Sequence, residues 1–233
     1  MKIFLTNKLY FSILFFGILF LDIYVKLNLE AIPYRIITKP LIILVLLLFF
    51  IKNYRKSQLK SNYVIIGLLS FLLGDFFFIF YDFIPLYIVG MVFFVAGKLC
   101  YVKRFSNQRD FNMLSLVPFF VMCFAYMVFI MILVLDNLGS FFFPVLLYLF
   151  TCLISLLFAY LRKGDVDIKS FYIVLAGVFI SVICDSITVI QSFYYEDFPY
   201  HKMIIMLLYG ISQYLIVMGL LNEEKKAEDV FIL

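Results

Sequence analysis

Two aspartates stand where an apolar chain has least reason to keep them. Asp75 ends Leu72-Leu73-Gly74-Asp75 and Asp185 lies in Ile183-Cys184-Asp185-Ser186, each inside a long hydrophobic run. Lys39 in Thr38-Lys39-Pro40, Lys98 in Ala96-Gly97-Lys98 and Gln213 in Tyr209-Gly210-Ile211-Ser212-Gln213 interrupt further runs. An ionisable group near the centre of a bilayer costs about 2.5–3.5 kcal/mol on insertion scales, so each of these needs a partner or a task. Two lysines and two aspartates balance to zero, which allows every charge to be paired. Counted by helical rise, Lys39, Asp75 and Asp185 fall at similar depth, about 10–15 Å below the non-cytoplasmic surface, with Lys98 and Gln213 deeper. Convergence on one internal polar cavity is the economical expectation. Paired carboxylates beside lysines suit proton transfer, because desolvation favours the neutral acid at one site while a neighbouring ammonium keeps the other ionised. The same residues can instead lock helix register, with Gln213 as an interhelical hydrogen-bond clamp.

The elements that must position them follow from composition. Of 233 residues 66% are hydrophobic and 15% charged, with a mean hydropathy of +1.10. A soluble domain is about 45–50% apolar and about 25% charged, so too little polar surface is present to cover a water-facing globule. Disordered, collagen-like and basic nucleic-acid-binding classes are excluded. A spanning helix needs roughly 20 apolar residues, and the runs that qualify are Leu9 to Leu27, Ile32 to Ile51, Tyr63 to Asp82, Pro85 to Val102, Met113 to Leu135, Ser140 to Leu161, Ser170 to Tyr195 and Tyr200 to Leu221. The expected fold is all-α: a polytopic integral membrane bundle of about eight transmembrane helices, forming a single transmembrane domain over residues 1–233. The short links at Asp82–Pro85 and Asp136–Ser140 pair helices three with four and five with six as antiparallel hairpins.

Loop charge sets the orientation. Lys52, Arg55, Lys56 and Lys60, then Lys103, Arg104 and Arg109, then Arg162, Lys163 and Lys169 occupy loops that share one side. Lys2, Lys8, Lys225 and Lys226 flank the outer spans on that side, against Lys26, Arg35 and Lys202 opposite. The positive-inside rule then makes both termini cytoplasmic, in the plasma membrane if the host is a bacterium. The first run is too long for a signal-peptide core and lacks a small-x-small cleavage site, so it is expected to remain as a span.

Other polar residues carry less. Cys100, Cys123, Cys152 and Cys184 fall inside spans without metal spacing and read as small packing residues, and one histidine, His201, cannot build a zinc site. No cofactor and no metal are expected. Asp22, Asp82, Asp136, Glu196 and Asp197 lie near helix ends and read as solvated. Ser12, Ser70, Thr151, Ser155 and Ser181 can bond their own helix carbonyls, and without a buried histidine a serine triad has no base. Glycines 67, 74, 90 and 97 give helices three and four small faces for close approach.

These positions resemble the YhhN family of eight-span membrane proteins, whose characterised members are lysoplasmalogenases. Lys39-Pro40 in the second span, Gly74-Asp75 in the third, Gly97 with Tyr101 in the fourth, Asp185-Ser186 in the seventh and Tyr209 with Gln213 in the eighth follow the family pattern in order and in helix. The resemblance implies hydrolysis of the vinyl ether of a 1-alkenyl lysophospholipid to a fatty aldehyde and a glycerophospho-alcohol. Protonation of the outer alkene carbon gives an oxocarbenium ion that water captures. Asp75 and Asp185 divide the acid and the stabilising role in either order; Lys39 can pair a lipid phosphate; Tyr209 and Gln213 can hold water or a glycerol hydroxyl. At position 98 the family usually carries histidine in Gly-His-x-x-Tyr, where this chain has Lys98. A retained reaction with an altered proton relay, a changed substrate and a lost activity are the three consequences open to that departure.

The first functional expectation is therefore a membrane-embedded lipid hydrolase, with the bilayer and a lysophospholipid as partners, no nucleic acid, and Lys39, Lys98, Tyr101, Tyr209 and Gln213 supporting the two aspartates. The alternative is a non-enzymatic lipid or small-molecule transporter with an intramembrane charged site. Against it stand the absence of an internal repeat and of matched Gly/Pro-broken helices. The blandest option is a structural bundle with locked charge pairs.

Overall fold

The computed structural model describes residues 7–54, 60–80, 82–106, 113–195 and 199–223. Lys2, Arg55, Lys56, Arg109, Glu196, Asp197, Lys225 and Lys226 lie outside them. In hydrocarbon every backbone N–H and C=O must be satisfied within its own segment, so each apolar run closes as a helix. Among the described residues the helices are α1 (Lys8–Asn28), α2 (Ile36–Asn53), α3 (Ser61–Phe77), α4 (Ile84–Phe105), α5 (Met113–Leu138), α6 (Phe142–Leu161), α7 (Ile168–Phe193) and α8 (His201–Leu221). Local chemistry sets several of the ends. The Asn7 side chain accepts from Leu9 N at the start of α1, and Asp167 from Ser170 N at the start of α7. Pro85 occupies the first turn of α4, where its missing N–H costs nothing. The second run starts later as an α-helix than the sequence suggests: Ala31–Arg35 forms a kinked turn, with Ile32 in an extended conformation, before α2.

By length and apolarity the spans among the described residues number seven, because α5 and α6 form one 46-residue stretch, Leu116–Leu161. A 3-10 turn at Gly139–Phe141 divides that stretch, and Gly139 sits at φ +47, a left-handed conformation that glycine adopts without strain. The chain is an integral membrane protein, and its lipid-facing side chains are large and apolar, as at Phe120, Phe129, Ile132 and Phe143.

Helix neighbours close into a ring. α1 packs on α2, α2 on α3, α3 on α4, α4 on α6, α6 on α7, α7 on α8, and α8 back on α1, while α5 lies outside against α6 and α7. The expected α3/α4 hairpin is among the best packed contacts. A Cβ added at Gly74 would lie 2.4 Å from the Phe94 ring, and one at Gly67 would lie 3.3 Å from the Gly97 carbonyl oxygen. Small residues at this seam let the two backbones approach. Buried polar side chains then collect in the interior of the ring.

Candidate functional site

Asp75 reaches that interior from the last turns of α3 and is fully buried. Tyr209 Oη, from α8, donates to Asp75 Oδ2 at 2.7 Å. Lys39 Nζ, from the second turn of α2, stands 3.3 Å from Oδ1. That approach lacks hydrogen-bond geometry, so Asp75 Oδ1 is buried with no hydrogen-bond partner. Three of the sequence-predicted residues thus meet at one point.

A second charged group lies beside this one, on the same side of the ring. Asp22 is not solvated as its place near the end of α1 suggests; it is fully buried. Thr38 Oγ1 donates to Asp22 Oδ1 at 2.6 Å, and Arg35 Nε stands 3.9 Å from the same oxygen. The reason for the difference is packing: α2 crosses α1 here and the turn at Ala31–Arg35 folds Arg35 and Thr38 over the carboxylate. Asp22 and Arg35 lie within electrostatic range of Lys39 and Asp75.

Asp185 is bound differently. Lys98 Nζ, from α4, donates to Asp185 Oδ2 at 2.6 Å, and Tyr148 Oη, from α6, donates to Oδ1 at 2.5 Å. Cys152 Sγ and Ser181 Oγ approach Oδ2 at 3.4 and 3.3 Å, and Lys98 also donates to Ser181 Oγ at 3.0 Å. Both carboxylate oxygens are therefore filled by donors. Cys152 is a polar partner here rather than mere packing, and Ser181 serves the ion pair instead of its own helix. Ser12, Ser70 and Thr151 do bond their helix carbonyls.

A small cavity of about 10 Å³, the room of one water molecule, opens beside this pair, lined by Lys98, Tyr101, Cys152, Ser155, Ser181 and Gln213 against apolar residues that include Phe71. Tyr101 Oη donates to Gln213 Oε1 at 2.9 Å across it. The expected single polar cavity is thus divided: Lys39 and Asp75 do not line it, and among the described residues no hydrogen bond or ion pair joins the Asp75 group to the Asp185 group.

The division has a regular geometry. Three helices each place one residue in either layer, four positions apart: Asp75 and Phe71 on α3, Phe94 and Lys98 on α4, Tyr209 and Gln213 on α8. Residues so spaced share a helix face one turn apart, about 5–6 Å. Phe94 lies tilted beside Tyr209 with centroids 5.9 Å apart and meets Phe71 edge-on at 5.3 Å. The two rings form the wall between the layers.

Tyr148, Asp22, Arg35 and Thr38 escaped the sequence reading. Tyr148 is one of seventeen tyrosines in apolar runs and nothing local marks it. For Asp22 a signal existed, since it lies a turn and a half inside α1 between Leu21 and Ile23.

Comparison with curated proteins and with solved structures gives no match. The sequence profile of the YhhN family matches residues 34–220, which takes in α2 through α8 with Lys39, Asp75, Lys98, Tyr101, Asp185, Tyr209 and Gln213. With most of its length and every residue of both layers inside that match, the chain belongs to the YhhN family.

Proposed function

We propose that the chain is a membrane-embedded hydrolase of lysoplasmalogenase type, cleaving the vinyl ether of a 1-alkenyl lysophospholipid. The observation that supports this reading best is Asp75: a buried carboxyl steadied on one oxygen by Tyr209, with the other oxygen bare of hydrogen bonds. One helical turn away lies a cavity sized for a water. Family membership points to the same chemistry.

In its protonated form Asp75 gives the proton at Oδ1 to the outer alkene carbon, leaving an oxocarbenium ion at the carbon bonded to the ether oxygen. The water held near Gln213 and Tyr101 adds to that carbon, and its proton returns to the Asp75 carboxylate. The resulting hemiacetal breaks its bond to the glycerol oxygen, which takes up a proton as the hemiacetal hydroxyl loses one, releasing a fatty aldehyde and the glycerophospho-alcohol. Asp185 holds a fixed negative charge beside the cation, kept ionised and oriented by Lys98 and Tyr148. Lys98 at the position usually held by histidine is on this reading an orienting charge, not a proton carrier. Displacement of Phe71 or Phe94 opens the wall between the layers to the lipid chain. The basic loops support cytoplasmic termini, in the plasma membrane if the host is a bacterium, with the Asp75 layer toward the outer leaflet.

The test is aldehyde release from a 1-alkenyl lysophospholipid by detergent-purified wild type, Asp75→Asn, Asp185→Asn and Lys98→His, with monodispersity checked for each. Aldehyde from wild type, lost with either aspartate, supports the reading. Silence from all four sinks it, and activity unchanged by Asp75→Asn removes the proton donor.

A further inference from the structure

Arg35 is buried, 9% exposed, yet among the described residues its guanidinium makes no hydrogen bond to an oxygen. Its contacts are the 3.9 Å approach to Asp22 Oδ1 and a 3.9 Å approach of Nη2 to the Met206 thioether, a weak acceptor. Nε has no hydrogen-bond partner at all. A buried guanidinium nitrogen without an acceptor is costly. Arg104 Nε and Arg162 Nη1 are also buried without a partner, but both of those guanidiniums donate to Glu223, at 2.7 and 2.9 Å. Of these three arginines Arg35 is the one with no oxygen acceptor among the described residues.

Lys26 lies within electrostatic range of Arg35, and its side-chain nitrogen donates to the Lys202 carbonyl oxygen at 3.2 Å. Lys39, a residue that could have taken a phosphate, is already engaged with Asp75. Arg35 is thus the group in this cluster that an anion with several oxygens would complete.

We infer that Arg35, with Lys26 beside it, is the subsite for the phosphodiester of a lysophospholipid, and that Asp22 and Thr38 hold Arg35 in place for it. The inference rests on the hydrolase reading for the rest of the lipid, and geometry ties the two together. Arg35 precedes Lys39 by four residues on the same face of the second span, so a bound phosphate lies about one turn, ~5.4 Å, from the Lys39–Asp75 pair. In a 1-alkenyl lysophospholipid the phosphorus lies on the order of five bonds from the ether oxygen, a span matching one such turn. The phosphate held at Arg35 sets the vinyl ether at Asp75. Asp22, on α1, lies outside the stretch matched by the family profile, whereas Thr38 and Arg35 lie inside it.

The experiment compares paired ligands that differ only in the phosphate. Binding of a non-hydrolysable 1-alkyl lysophospholipid and of the corresponding 1-alkyl glycerol is measured by calorimetry on wild type, Arg35→Gln, Arg35→Lys and Lys26→Gln in detergent. A preference of wild type for the phosphorylated lipid that falls roughly tenfold in Arg35→Gln, and less in Lys26→Gln and Arg35→Lys, establishes the subsite. A preference unchanged in Arg35→Gln and Lys26→Gln overturns it, as does inorganic phosphate binding that competes with neither lipid. Binding needs no turnover, so a protein that discriminates these lipids but releases no aldehyde would fail the hydrolase reading and keep the subsite.

Discussion

Lys39 Nζ stands 3.3 Å from Asp75 Oδ1 without donating a hydrogen bond to it, so charge alone holds the two together and Tyr209 supplies the carboxylate's bond. Both groups are nearly or fully buried, and removing one partner of such a pair strands the other in a medium that solvates it poorly. Lys39→Met is expected to destabilise by about 3 kcal/mol and Lys39→Met with Asp75→Asn to recover most of it. Thermal unfolding in detergent measures both. A loss in the double variant equal to the sum of the Lys39→Met and Asp75→Asn losses would show that the charges are not coupled.

Tyr148 supplies the hydrogen bond to Asp185 that Lys98, Cys152 and Ser181 do not, on Oδ1 at 2.5 Å. Tyr148→Phe keeps the ring and removes only that donor. If Asp185 steadies a developing cation, a carboxylate that can rotate does so less well. The expected outcome is a kcat lowered roughly tenfold with KM little changed. A change confined to KM would make Tyr148 a substrate contact instead.

Much of this was legible in the residue order, for a physical reason. A helix in lipid must be continuous and apolar, so spans and breaks are written in composition, and Asp75, Lys98 and Asp185 stand out because charge is so costly there. Balance to zero foretold pairing, and the pairs are Lys39 with Asp75 and Lys98 with Asp185. What composition does not encode is which helices are neighbours. α6 inserts between α4 and α7, which brings Tyr148 and Cys152 to Asp185, and α1 closes the ring on α2, which buries Asp22. The single cavity expected from equal depths fails because Phe71 and Phe94 fill the space between two layers one turn apart.

Glu223, just beyond α8, accepts through Oε2 from both Arg104 and Arg162 and ties the ends of α4, α6 and α8 together. Burial draws the Arg162 guanidinium down to about 10, so it stays charged at neutral pH. An arginine whose folded value lies below its unfolded one costs stability at every pH under the folded value. That cost fades only as pH rises past about 10. Glu223→Gln removes the compensating charge and is expected to lower stability by about 2–4 kcal/mol, flat from about pH 6 to 9 and shrinking above pH 10. Unfolding midpoints across that range test it. A loss that grows with alkalinity contradicts the assignment.

Gly74 and Gly17 give a matched pair for the α3/α4 seam. A Cβ at Gly74 meets Phe94 at 2.4 Å, whereas one at Gly17 on α1 meets nothing within 4 Å. Gly74→Ala must push Phe94 against Phe71, Phe78 and Tyr209, the rings it already touches. Overpacking of this kind costs about 1–3 kcal/mol, while alanine for glycine in an open helix position gains up to about 1 kcal/mol. Gly74→Ala is therefore expected to lower the unfolding temperature and, by moving the ring beside Tyr209, to lower aldehyde release more than the stability loss explains. Gly17→Ala is expected to lower neither. Equal behaviour of the two would mean that Phe94 yields without disturbing Asp75, and that the wall between the layers is softer than its packing indicates.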